Sequence, residues 1–345
     1  MGRRLVIPIG AVSLVAVALA ACGAAARSTG SAAGRPPATL GTTVSSAGSP
    51  SAAPCGAAAA ETLARTAGLI ATRIYAGELS GSETRSDQRQ VEGFVPLLSA
   101  LAGGESTAIK AAVTSLVFSH THVVRLRVTQ GSRVVADVGG PYILAPVGGG
   151  LRFHGRTVGR YVLSVQDDLG YIKLVTRFIG APLVMRTGSR SLPVEGLLTP
   201  GPPAIPAHGP VTYAHRSYEA FSFDASAFPA GPLRVSLLLP LGPTLAARSC
   251  AEIRTQETGR IAQRISRRFA LSPSTFATYI RLTNTLSGAL VYIRSGSRQL
   301  AGSSHPAPTR LPTGGAVTLG GTRFGVSSFA VGTAAGQARV YVLVR

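Results

Sequence analysis

The triplet Gly-Ser-Arg occurs at Gly131, Gly188 and Gly296, each time shortly after a short apolar run: residues 123–128, 183–186 and 290–294. A recurrence of this kind constrains a fold strongly, because each copy must be one supersecondary unit. The second and third copies match further. Val211-Thr212-Tyr213 aligns with Val317-Thr318-Leu319, Tyr218 with Phe324, and Ser222-Phe223 with Ser328-Phe329. Gly231-Pro232-Leu233-Arg234-Val235 aligns with Gly336-Gln337-Ala338-Arg339-Val340. The first copy is looser: residues 151–163 align with 211–223, Arg156 lies opposite Arg216, and residues 171–178 take the place of the last strand.

Each copy reads as five short strands, with Gly-Ser-Arg as the turn between the first two. In Val124-Arg125-Leu126-Arg127-Val128 the alternation puts both arginines on one face and the apolar residues on the other. The connections are too short for crossover helices, so the sheets are antiparallel meanders. Two stretches read as long helices, 57–76 and 243–270. Residues 66–74 resemble 257–265, so the helix is duplicated with the sheet. Residues 91–118 and 273–286 read as shorter helices. The expected order is helices, sheet, sheet, helices, sheet, an α+β chain.

The N-terminus reads as an address. Arg3 and Arg4 precede an uncharged apolar run, residues 5–21, which ends Leu19-Ala20-Ala21-Cys22. Secretory signals have this layout, and with Cys22 just after the cut the segment resembles the bacterial lipobox. That resemblance implies lipidation of Cys22 and an extracytoplasmic chain anchored to the bacterial cell membrane. The alternative is a membrane-spanning anchor, for which the run is at the short limit. Residues 22–54 are Ala, Gly, Ser, Thr and Pro with little to bury, and read as a disordered tether. Cys55 and Cys250 each precede a helix. Export permits a disulfide between them, the alternative being two buried thiols.

Leading helices that feed a five-stranded meander resemble the extracellular Cache or PDC-type sensor domain, a relative of the PAS fold. The resemblance is carried by Asp137-Val138-Gly139-Gly140-Pro141-Tyr142, by Gly155-Arg156-Thr157-Val158-Gly159, and by Ser164-Val165-Gln166-Asp167-Asp168-Leu169-Gly170-Tyr171. It implies a PAS-like α+β fold with two to three sheet units. Helices and a first sheet occupy 55–180, a second sheet 181–242, and helices with a third sheet 243–345. The third unit lacks the Gln-Asp-Asp-x-Gly-Tyr segment. No signalling module follows it, so a sensor of this kind would report to another protein.

Candidate ligand residues follow. Asp168, in the adjacent acidic pair Asp167-Asp168, could hold an ammonium group; the alternative is a turn. Arg125 and Arg127, with Lys173, could bind a carboxylate; the alternative is a solvated sheet face. Tyr142 and Tyr171 could stack on a ligand or fill the core, and Gln166 stands beside the pair. His120-Thr121-His122 lacks further ligands for a metal.

The chain carries 34 Lys+Arg against 14 Asp+Glu, a formal net charge of +20. Its arginines are spread over all units without the aromatic interleaving that nucleic-acid binding uses. No nucleophile elbow, phosphate loop or paired carboxylates suited to hydrolysis are present. The expectation is a non-enzymatic protein with no catalytic residue, metal or other cofactor. It would bind a small polar molecule such as an amino acid, amine or carboxylate and signal through a protein partner. The alternative is a structural or adaptor lipoprotein of the cell envelope.

Overall fold

The computed structural model describes residues 53–120, 122–188, 190–191, 204–303, 308–333 and 336–345. The signal segment, Cys22 and nearly all of the tether lie outside the described residues. Four helices come first: α1 (Ala59–Ser80), α2 (Ser82–Glu92), α3 (Val95–Gly103) and α4 (Ser106–Ser115). A π-helical turn, Leu116–His120, leads to β1 (Arg125–Gln130), β2 (Arg133–Gly139), β3 (Ile143–Leu144), β4 (Val147–Phe153), β5 (Arg156–Ser164) and β6 (Gln166–Asp167). Then follow α5 (Asp168–Ile179), β7 (Leu183–Thr187), β8 (Arg190–Ser191), β9 (His208–Tyr213), β10 (Arg216–Phe228) and β11 (Gly231–Pro240). The last unit holds α6 (Cys250–Ser266), α7 (Pro273–Ser287), β12 (Leu290–Ser295), β13 (Arg298–Gly302), β14 (Gly314–Leu319), β15 (Thr322–Thr333) and β16 (Gly336–Val344).

The fold is α+β with three antiparallel sheets. The third sheet runs β13-β12-β16-β15-β14. Counted within its unit, this is the order 2-1-5-4-3, and the second sheet repeats it as β8-β7-β11-β10-β9. The first sheet has four strands, β2-β1-β5-β4, instead of the five expected. Its missing member is β3, which pairs with the far end of β10 and with β6, and so ties the first unit to the second sheet. The thirteen-residue β10 is long enough to pair β9 with its first half and β3 with its end.

The sequence places residues 171–178 as a strand, and the structure corrects this to α5. Tyr171, Ile172, Val175, Phe178 and Ile179 recur at helical spacing and are all buried. Asp167 caps the helix by accepting a hydrogen bond from the Gly170 N–H, and Gly180 ends it in the left-handed conformation.

Among the described residues, two large apolar cores result. The first unit has its own, built from α3, α4 and the inner face of the first sheet. The second core is shared: α1, α5, α6 and α7 bury their apolar faces among the inner faces of the second and third sheets. Helices α1 and α5, expected to belong with the first sheet, therefore pack with the other two units, and residues 82–165 form a unit inserted between them.

Inside the shared core the repeat becomes a reciprocal arrangement. Helix α1 packs on β10 and β11, α6 packs on β15 and β16, and the two helices pack on each other. The Tyr171 hydroxyl donates to the Ala71 carbonyl at 3.0 Å, and the Tyr279 hydroxyl donates to the Ala262 carbonyl at 3.1 Å. Ala71 and Ala262 are equivalent in the duplicated helix, and each tyrosine stands on the second helix of its unit. Arginines cross between units. Arg73 of α1 donates to the Leu286 carbonyl at the end of α7, and Arg264 of α6 donates to the Thr176 and Arg177 carbonyls at the end of α5. Each cation thus meets carbonyls in the last turn of a helix, where the helix dipole favours positive charge. The Cys55–Cys250 disulfide, with Cα atoms 4.8 Å apart, joins the starts of the two long helices, next to a 2.7 Å hydrogen bond from the Cys55 N–H to the Arg248 carbonyl.

Candidate functional site

A cavity of about 550 Å³ lies where the inserted unit meets α5. Its walls come from four pieces of backbone: the turn after α4 (Val117, Phe118), the approach to β1 (Val123, Val124), the loop between β2 and β3 (Gly140 to Tyr142), and the start of α5 (Asp167 to Leu169). The diversion of β3 creates this site. Because β3 leaves the first sheet to join β10 and β6, the loop before it is drawn over the N-terminus of α5, where the Asp168 N–H donates to the Tyr142 carbonyl at 3.2 Å. The volume falls within the range of small-molecule sites. Part of the lining is apolar and aromatic, with Phe118 72% exposed, and part of it, at the start of α5, carries two carboxylates.

Asp168 is buried, 8% exposed. Burial pushes its carboxyl above the usual carboxylate range, helped by the neighbouring Asp167 charge and opposed by the Leu169 backbone N–H. Further carboxylates stand behind it. The Glu78 carboxyl is pushed up to about 7 by burial and then by Glu83, against a hydrogen bond from the Gln166 side chain. Asp87 is 3% exposed and also raised, by burial first. The His122 ring lies 4.0 Å from Glu83. In a chain of net charge +20, the junction gathers Glu78, Glu83, Asp87, Asp167 and Asp168. Among the described residues no three potential ligand side chains are grouped to hold a metal ion.

The structure brings together only part of the residues named from sequence. Tyr142 and Asp168 line the cavity. Gln166 stands behind it, hydrogen-bonded to Glu78. Tyr171 does not reach the cavity: it is fully buried in the shared core, its hydroxyl on Ala71. Arg125 and Arg127 do not line it either. Arg127 sits opposite Asp137 in the register of β1 and β2, and both guanidiniums close on that carboxylate, Arg125 at 2.8 Å and Arg127 at 2.6 Å. They also lie over the Phe228 ring, 5.4 and 4.4 Å from its centroid, and so fasten the first sheet to the end of β10. Counting back from the Gly-Ser turn would have found the Asp137 partner. Phe118 and Glu78 had no local signal, because their place depends on the diverted strand.

No family model and no curated protein matches the chain. A solved structure similar to it is the periplasmic domain of Vibrio cholerae LuxQ, aligned with a TM-score of 0.34 and 13% identity over 51% of this chain and 99% of that one.

Proposed function

We propose that this protein is an extracytoplasmic sensor of the Cache type, lipid-anchored through Cys22, that takes a small amine-bearing molecule into the junction cavity and reports to a protein partner. The observation that carries the reading is the pairing of a buried carboxylate, Asp168, with the aromatic residues Tyr142 and Phe118 around about 550 Å³ of open space. Such a wall suits an ammonium group, which gains charge-assisted hydrogen bonds from the carboxylate and attraction to the ring faces. A carboxylate ligand is disfavoured, because the nearest arginines are already held by Asp137. The reading is non-enzymatic and uses no cofactor.

The cavity's position supports a reporting role. A ligand there touches the inserted unit on one side and the start of α5 on the other. The end of α5 is held by Arg264 of α6, so the helix links the cavity to the shared core. Occupancy changes that core only if bound and free states differ in how α5 sits.

A thermal-shift screen of amines, amino acids, carboxylates and sugars tests this. A ligand at a hundred times its dissociation constant adds about 2.7 kcal/mol. Stabilisation by amine-bearing compounds, absent in Asp168→Asn, supports the proposal. A response limited to carboxylates or sugars refutes it, and a silent screen shifts the balance to an envelope adaptor.

A further inference from the structure

The three sheets differ most on the face turned away from their helices. On the second sheet this face is apolar: Val184, Tyr218, Ala220 and Leu238 are buried under Ile205 from the segment before β9. On the third sheet Tyr292, Val317, Val326 and Leu343 are buried with Leu311 from the segment before β14. In both units the connection from the second strand to the third supplies this cover. In the first unit that connection, Gly140 to Tyr142, is drawn with β3 toward the start of α5. The corresponding face of the first sheet therefore has no such cover.

Its composition has changed to match. The repeat places Arg127 where the other sheets have Val184 and Tyr292, while Arg160 occupies the register position of Arg234 and Arg339. Arg160 lies opposite Thr129 and Gly150 in the strand register, and Arg152 opposite Thr157. Arg125, Arg127, Arg160 and Arg152 thus run obliquely from β1 across β5 to β4, neighbouring strands being about 4.8 Å apart. Asp137 answers the first two. Arg152 and Arg160 are exposed, and no side-chain hydrogen bond or ion pair engages either one among the described residues. Beside them Gly148 and Gly150 are exposed, and a Cβ on Gly150 would meet nothing within 4 Å, so a ligand has free approach to the backbone.

We propose that this face binds a linear phosphodiester polymer outside the cell, with Arg152 and Arg160 as the principal contacts. A row of single guanidiniums on a flat strand surface matches a chain with one negative charge per repeat, and each can take a phosphate bidentately. The face lacks the buried aromatic anchors of a protein interface. Its only large exposed apolar side chain is Val134, too little for insertion into a bilayer. The site is separate from the junction cavity and does not depend on the amine reading.

The test measures binding of the full chain to poly(glycerol phosphate) over a range of salt concentrations. It compares wild type, Arg152→Gln/Arg160→Gln, and a charge-matched control, Arg254→Gln/Arg281→Gln, which removes exposed arginines from α6 and α7. The expected result is at least a tenfold loss in the sheet variant. The slope of log affinity against log salt should also flatten by about 1.4, or about 0.7 for each lost contact on a single-stranded polyanion. The control should bind within twofold of wild type. Equal losses in both variants, no binding by wild type, or binding to phosphatidylglycerol vesicles but not to the polymer would each overturn the proposal.

Discussion

Gly68 of α1 sits so close to the second sheet that a Cβ there would lie 2.1 Å from Cδ1 of Phe221. Carbon atoms pack at about 3.5–4.0 Å, so Gly68→Ala requires the ring to retreat by about 1.4 Å or more. Phe221 is only 8% exposed and belongs to the shared core, where room is scarce. Overpacking of this kind costs about 1–3 kcal/mol. Against it stands a gain of about 1 kcal/mol from replacing glycine inside a helix. The predicted net loss for Gly68→Ala is up to about 2 kcal/mol. Gly77 supplies the control on the same helix: a Cβ there meets nothing within 4 Å, so Gly77→Ala should stabilise by up to about 1 kcal/mol. The repeat adds a third member. Gly259 of α6 is the counterpart of Gly68, and a Cβ there would lie 2.5 Å from Cβ of Ser327. Gly259→Ala should therefore lose stability as Gly68→Ala does. Urea unfolding followed by circular dichroism reads all three, with midpoints compared at unchanged slope. If Gly68→Ala and Gly259→Ala shift the midpoint upward together with Gly77→Ala, the reciprocal packing of α1 and α6 against their sheets is wrong.

Three further predictions concern other links in the structure. The Cys55–Cys250 bridge closes a loop with a sequence separation of 195; by loop entropy Cys55→Ser/Cys250→Ser should lose up to about 5 kcal/mol in denaturant unfolding, and an unchanged midpoint would contradict a formed bridge. Burial, reinforced by Glu83, raises the Glu78 carboxyl to about 7 in the fold. Folding therefore favours the protonated acid, and that stability is full below the unfolded value of about 4.3 and declines as pH rises through about 7. Glu78→Gln should flatten this decline, and a pH–stability profile that keeps its slope in the variant rejects the assignment. For Asp137, burial raises the carboxyl but the hydrogen bonds from Arg125 and Arg127 outweigh it and lower it. Its contribution is thus present above the ordinary carboxylate range and lost as pH falls through the depressed folded value. Asp137→Asn should lose about 1–2 kcal/mol at neutral pH and converge with wild type in strong acid; equal stability at pH 7 would count against the pairing.

Most of the architecture could be read from the Gly-Ser-Arg turns and the duplicated helix, because strand meanders and amphipathic helices leave periodic marks in a chain. The α5 helix escaped because Tyr171 to Phe178 is a short apolar run, in which strand and helix look alike. Its helical spacing and its alignment with the segment around Tyr279 were the available signals. The diversion of β3 could not be read at all: a two-residue strand has no period, and its partner Phe228 is far away in sequence. That diversion builds the cavity and uncovers the first sheet, so both candidate sites depend on the feature that was hardest to see. Asp168 and Tyr142 were legible because charge and aromatic residues stand out in a chain poor in both. Tyr171 and the Arg125–Arg127 pair stood out for the same reason, yet a backbone carbonyl and Asp137 already hold them.

The most direct measurement is calorimetric titration of one amine-bearing hit into wild type, Asp168→Asn and Tyr171→Phe. The junction-cavity account predicts at least a tenfold loss of affinity in Asp168→Asn, equivalent to about 1.4 kcal/mol. Tyr171→Phe should bind as wild type while unfolding about 1 kcal/mol more easily, since it loses only the hydrogen bond to Ala71. Undiminished affinity in Asp168→Asn, or a loss confined to Tyr171→Phe, would contradict a ligand site at the start of α5.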